Sequence, residues 1–223
     1  MLFLLFFLLI VIYIAFISLG LPDAILGSAW PIMYGELNVN VSAMGILTMI
    51  ICGGTIVSSV FSSKFINKFG TGVVTAVSVA LTAIALFGFS VSSSFWMLCI
   101  CGIPYGLGAG SVDAALNNFV AMHYKSRHMS WLHCFWGLGA MIGPYVMGFC
   151  LSANYTWKTG YRVIGLFQTA LVVGLFLTLF LWKKVEKADA QNAVEQNNIG
   201  RDEDIEKMSS SGWEIIDLTS VEP

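Results

Sequence analysis

The chain has 223 residues, of which 57% are hydrophobic and only 11% charged, with a formal net charge of -2. Soluble domains carry about a quarter charged residues, so the composition points to an apolar body in a lipid bilayer and gives no reason to expect a nucleic-acid partner. The charge is also uneven: from Met1 to Trp182 the acids are Asp23, Glu36 and Asp113 alone, and all the others lie beyond Trp182.

A bilayer core about 30 Å thick needs about 20 apolar residues of helix. Six segments meet that requirement, at about 3–33, 42–63, 72–90, 95–121, 129–151 and 162–182. The connections between them, such as Lys64 to Thr71 and Met122 to His128, are short and polar. The first segment has no Lys or Arg before it and no small-residue cleavage signal, so it reads as a membrane helix rather than a cleaved leader. Basic residues near helix ends set orientation. Lys64, Lys68, Lys125, Arg127, Lys183, Lys184 and Lys187 fall on one side, and Lys158 and Arg162 on the other. The expected arrangement is a multi-pass protein of the plasma membrane with both termini cytoplasmic.

Residues 1–184 are thus expected to form a six-helix transmembrane unit. Residues 185–223, rich in Glu, Asp, Asn and Ser, are expected to form a disordered cytoplasmic tail, because they cannot bury enough apolar surface to fold alone. The tail's one apolar patch, Trp213-Glu214-Ile215-Ile216, resembles a short docking motif, with a chance patch as the competing reading. Cys52, Cys99, Cys101, Cys134 and Cys150 have neither zinc nor redox spacing and read as small buried residues.

Segment one contains Gly20-Leu21-Pro22-Asp23-Ala24-Ile25-Leu26, and segment four contains Gly110-Ser111-Val112-Asp113-Ala114-Ala115-Leu116. Both read G-x-x-D-A-x-L. Thr71-Gly72 at segment three is echoed by Thr159-Gly160 before segment six. Segments one and four are equivalent helices of a three-plus-three repeat, and an odd number of helices per repeat inverts the second copy in the membrane. The expected fold is therefore all-α, six transmembrane helices in an inverted 3+3 repeat.

Each aspartate inside a span costs at least about 2.5 kcal/mol on insertion scales, so both should face the bundle interior or a water-filled cavity. A carboxylate removed from water favours its neutral form, the property a proton carrier uses. A carboxylate satisfied by helix–helix hydrogen bonds is the competing reading. Asn117, four residues after Asp113, shares its helix face. His133 and Trp136 share a face of segment five and offer an aromatic platform beside a polar group, which suits a sugar; a place in the interfacial belt competes for Trp136. Gln168 is the polar residue of segment six, with an interhelical hydrogen bond as its alternative. His123 and His128, flanking Lys125 and Arg127, read as solvated loop residues with no metal site. The stripes Gly102, Gly106, Gly110 and Gly139, Gly143 allow close helix approach, and Pro22, Pro104 and Pro144 mark bends.

The stretch Lys64-Phe-Ile-Asn67-Lys68-Phe-Gly70-Thr-Gly72 resembles, in weakened form, the loop between helices two and three of major facilitator transporters. Asn67 stands where that family has Asp, and Ser63 where it has Gly, so the usual gating salt bridge is absent from the resemblance while Asn67, Lys68 and Gly70 mark the gating loop. Gly139-Ala-Met-Ile-Gly143-Pro144 is similar to the Gly-Pro motif of helix five. Within the superfamily the chain resembles the fucose permease-like sugar–proton symporters. There, an acid in helix one and another in helix four serve proton coupling and sugar binding, which Asp23 and Asp113 match; Asn117 and Phe119 also fit. His133 falls where that family has a sugar-contacting glutamine, which leaves the substrate open. The resemblance implies a secondary transporter of a small polar solute, with the proton as co-substrate, no cofactor and no enzymatic activity. It covers about residues 5–184, one six-helix half. The remaining readings are a truncated product inactive alone, pairing with a second six-helix half or with itself, and a short interaction or regulatory form. No ring of filter groups suggests a channel, and Ser111 near Asp113 is the only hint of a hydrolase.

Overall fold

A computed structural model describes the backbone of residues 2–217 and the side chains of residues 3–188 and of Gln191. It contains α1 (Leu2–Asp23), α2 (Ile25–Glu36), α3 (Ala43–Phe69), α4 (Thr71–Val91), α5 (Phe95–His123), α6 (Ser126–Ser152) and α7 (Trp157–Asp217). Among the described residues, six helices are long and apolar enough to cross a bilayer, with α1 and α2 forming one span over Phe3–Glu36. Lipid offers backbone groups no partner, so each apolar run closes its own hydrogen bonds as helix. The all-α expectation of six spans holds. The two compact units are Met1–Trp182 and Lys183–Pro223. The α7 backbone is helical to Asp217; the side chains of the Trp213–Ile216 patch lie outside the described residues.

Helix ends differ from the sequence reading where charge was taken as a loop signal. The stretch from Lys64 belongs to α3 as far as Phe69, and α4 begins at Thr71. Only Gly70, with φ 83°, leaves the helical region, a conformation glycine adopts without a Cβ penalty. Likewise the 122–128 connection shrinks to a corner at Tyr124 and Lys125, because α6 starts at Ser126. Lysines on a helix face water without ending the helix; Lys64 and Lys68 lie over the rings of Phe61 and Phe69 at 5.4 and 5.2 Å. Asn38 and Asn154, with φ 52° and 60°, close the ends of α2 and α6, each followed by a backbone bond that reaches five residues back, Val39 to Tyr34 and Tyr155 to Cys150.

The helices pack in a repeated pattern. The first helix of each three-helix unit lies along the second helix of the other: α1 on α6, and α5 on α3. The glycines of the shared motif make both contacts. A Cβ on Gly20 would collide with the Trp136 carbonyl and the Ala140 amide of α6, and one on Gly110 would collide with the Thr55 carbonyl and Ser58 Oγ of α3. Lipid tails are as apolar as leucine, so close van der Waals approach replaces the hydrophobic drive here. At the end of the bundle near Glu36, Trp157 is fully buried and its Nε1 donates to Glu36 Oε2 at 2.7 Å. Cys52 and Cys134, expected to be buried, are exposed on α3 and α6, the helices that each lend one face to a neighbour and turn the other outward.

Pro22 and Gln168 form a structural pair. Proline has no N–H, so Pro22 leaves the carbonyl four residues back, that of Ser18, without its helical donor. Gln168 Nε2 of α7 donates to that carbonyl at 2.9 Å, and its Oε1 accepts from Thr82 Oγ1 of α4 at 2.9 Å. One amide thus ties α1, α4 and α7 at 1% exposure. Gln168→Leu is expected to destabilise the protein by about 1–2 kcal/mol, read as a lower melting midpoint in detergent. Restoring the Ser18 donor with Pro22→Ala should recover part of that loss; a double variant no more stable than Gln168→Leu would count against the pairing.

Candidate functional site

Asp23 ends α1, and its two oxygens accept from two different helices. Tyr105 Oη of α5 donates to Oδ1 at 2.7 Å, and Trp136 Nε1 of α6 donates to Oδ2 at 3.0 Å. Tyr105 is 4% exposed and its ring packs against Phe89. The first helix of one repeat is therefore pinned to two helices of the other at the acid itself. Gly20, one turn earlier, brings the α6 backbone close enough for the Trp136 indole to reach.

Asp113 sits at the equivalent place of α5, yet its partners differ. Asn117 Nδ2 donates to Asp113 Oδ1 at 3.0 Å from the next turn of the same helix, as the four-residue spacing requires. The Asn117 Oδ1 atom is buried and has no protein partner. The His133 ring is near enough to act on the Asp113 charge, and Asp113 in turn on Asp23. Phe16 of α1 meets the His133 ring edge-on, with centroids 6.2 Å apart. The equivalence is of position and not of environment: position 90 residues before Tyr105 is Ala15, which has no hydroxyl to offer Asp113.

The sequence-derived residues thus separate into groups. Asp23, Asp113, Asn117, His133 and Trp136 come together, on α1, α5 and α6. Gln168 lies away from them in the α1–α4–α7 contact just described. Asn67 and Lys68 are exposed near the end of α3, and Gly70 is the hinge to α4. Asp23, Asp113, His133 and Trp136 are exposed. The aspartates were expected to face the bundle interior or a water-filled cavity; the six helices close one side of the site and leave its other side open. Tyr105 escaped the sequence reading. A tyrosine in an apolar helix reads as core, although a buried phenol needs a hydrogen-bond partner, and in this apolar body the candidate acids are few.

Ser111, two residues before Asp113, faces elsewhere. It lines an apolar cavity of about 390 Å³ with Phe65, Phe69, Val73, Val74 and Val77. No base lines that cavity, so the geometry offers Ser111 no activation as a nucleophile.

Comparison with known proteins agrees with the architecture. The family model described as Major Facilitator Superfamily matches residues 4–219. Bypass of stop codon protein 6 of Saccharomyces cerevisiae is 24% identical over 195 residues, covering 85% of this chain and 38% of that protein. Quinolone resistance protein NorA of Staphylococcus aureus is 22% identical over 148 residues, covering 65% of this chain and 37% of that protein. The aligned region is under two-fifths of the length of either relative. A family match along nearly the whole sequence, on a bundle of six spans with an internal repeat, places this chain in the Major Facilitator Superfamily.

Proposed function

We propose that the chain is one six-helix half of a proton-coupled secondary transporter of a small polar solute of the sugar class, working by alternating access in the plasma membrane with both termini cytoplasmic. The observation that carries this reading is the pair of carboxylates on one open face, one gripped by Tyr105 and Trp136, the other beside Asn117 and His133. Ionisable groups at membrane depth mark solute and proton pathways. The unpartnered Asn117 Oδ1 accepts a solute hydroxyl, the exposed Trp136 ring covers an apolar sugar face, and Asp113 takes and releases the proton. Asn67, Lys68 and Gly70 shape the corner that moves with α4 during gating. Gln168 supports the site by holding α1 against α7.

The openness of the site favours a second reading. A chain that leaves both aspartates exposed is suited to pair with another six-helix half, or with itself, as an interaction or regulatory form. One experiment separates the two. Vesicles containing the chain alone, or with a six-helix partner, are assayed for uptake of labelled sugars with and without an inward pH gradient. A labelled quinolone serves as the competing solute class, since one relative is named for resistance to such drugs. Gradient-driven sugar accumulation supports the transporter reading, and its absence from every assembly would exclude it.

A further inference from the structure

The end of the bundle away from the basic corners carries two copies of one short pattern. Asn40-Val41-Ser42 lies between α2 and α3, and Asn154-Tyr155-Thr156 between α6 and α7. Both read Asn-x-Ser/Thr without a proline between, the acceptor pattern for an N-linked oligosaccharide. No other asparagine of the chain has Ser or Thr at that spacing. Asn67, at the opposite end of α3, is followed by Lys68 and Phe69. Four spans, α3 to α6, separate the two patterns, an even number that returns the chain to the same side of the membrane.

The structure brings the two segments together. The hydrogen bond from Trp157 Nε1 to Glu36 Oε2 ties the residue three after Asn154 to the residue four before Asn40. Asn40, Ser42, Asn154 and Thr156 are all exposed. Ser42 stands at the N-cap of α3, where a serine oxygen ordinarily accepts from the first turn, yet its side chain makes no capping bond. Asn40 and Ser42 instead border an open recess of about 590 Å³. The flanking spans, Phe3–Glu36, Ala43–Phe69, Ser126–Ser152 and Trp157–Ala188, have 34, 27, 27 and 32 residues. A crossing of the hydrocarbon takes about 20, so the surplus turns let both loops stand clear of the lipid core.

We infer that Asn40 and Asn154 are acceptor sites for N-linked oligosaccharides, added as the chain enters the membrane of the secretory pathway. The inference rests on the proposed orientation, in which Lys64, Lys68, Lys125 and Arg127 hold the opposite end in the cytoplasm. In the transfer, asparagine Nδ2 forms a bond to C1 of the first sugar of a lipid-linked oligosaccharide diphosphate. The bond from C1 to the diphosphate oxygen breaks, the lipid diphosphate leaves with the electron pair, and the amide nitrogen gives up one proton to the transferase. The Ser42 or Thr156 hydroxyl, two residues on, is the part of the pattern that the transferase reads. An attached oligosaccharide is bulky and hydrated and cannot recross the hydrocarbon. Modification therefore fixes the end near Glu36 and Trp157 on the outer side.

The test translates the full chain, with a C-terminal epitope, in the presence of sealed rough microsomes. The product is expected to run two mobility steps above that made without microsomes, and endoglycosidase should remove both. Asn40→Gln and Asn154→Gln should each remove one step, and the double variant both. Ser42→Ala and Thr156→Ala should do the same with the asparagines still in place. Asn38→Gln, outside either pattern, should leave both steps. Protease added to the sealed microsomes reports orientation independently, through digestion of the epitope. Absence of any endoglycosidase-sensitive step, with the epitope digested, would overturn the acceptor sites and leave the orientation standing. The same absence with the epitope protected would overturn the orientation as well. A single step would overturn the assignment of the asparagine whose variant fails to remove it.

Discussion

Asp113→Asn is expected to reduce gradient-driven uptake to the level of vesicles without protein, while membrane insertion and folding stay intact. The substitution is nearly isosteric, and an amide oxygen still accepts the hydrogen bond that Asn117 Nδ2 gives to Asp113 Oδ1. The local helix geometry therefore survives. What is lost is the group that binds and releases a proton. Solute binding and proton coupling are separable by equilibrium exchange, in which labelled solute swaps across the membrane with no net proton movement. The variant should exchange solute and fail to accumulate it. Asp23→Asn provides the contrast. Its carboxylate accepts from Tyr105 and Trp136 on the other repeat, and an amide nitrogen in place of one oxygen sets donor against donor on one of those bonds. That variant should lose exchange as well as accumulation. Undiminished accumulation by Asp113→Asn would remove Asp113 as the proton carrier, whatever its effect on solute.

The six spans were legible because lipophilicity accumulates residue by residue and needs no knowledge of neighbours. The aspartate pair was legible for the opposite reason: two charges in an apolar body stand out, and their shared motif placed them on equivalent helices before any contact was known. Pairings across the repeat were not legible. Tyr105 bonds to a residue 82 positions away and Gln168 to one 150 away. Nothing local in Pro104-Tyr105-Gly106 names Asp23 as the partner. Gln168 was visible as the lone amide of its span, and Pro22 as a helix breaker, but their connection depends on which face of α7 meets α1. The loop at residues 64–72 was misread for a physical reason too. Charge was taken to end α3, whereas only the backbone freedom of Gly70 does so. The openness of the site was not fixed by the residues alone, because the cost of a charge in lipid requires only that something polar cover it, and says nothing of whether this chain supplies the cover.

Gly20→Val and Gly110→Val should each cost about 3 kcal/mol or more, at or above the upper end of the range for overpacked interiors. In both places the new Cβ meets backbone, the Trp136 carbonyl in one case and the Thr55 carbonyl in the other. Backbone inside a packed helix does not swing aside as a side-chain tip does, so the helices themselves must separate. Gly53→Val is the control, since a Cβ on Gly53 meets nothing within 4 Å; any helix-propensity effect of valine is shared by all three variants. The measurement is the monodisperse fraction and melting midpoint in detergent. Similar losses for Gly20→Val and Gly110→Val, with Gly53→Val near wild type, are what two copies of one packing unit require. A large loss at Gly20 alone would mean that the α1–α6 and α5–α3 contacts are alike in shape but not in energetic weight. The Gly20 variant reaches the site as well. Pushing α6 away at the Trp136 carbonyl withdraws the indole from Asp23 Oδ2, so Gly20→Val in whatever fraction remains folded should impair solute exchange, whereas Gly110→Val leaves the Asn117 bond to Asp113 within one helix. The repeat thus makes the same glycine essential to packing twice, and essential to the carboxylate only once.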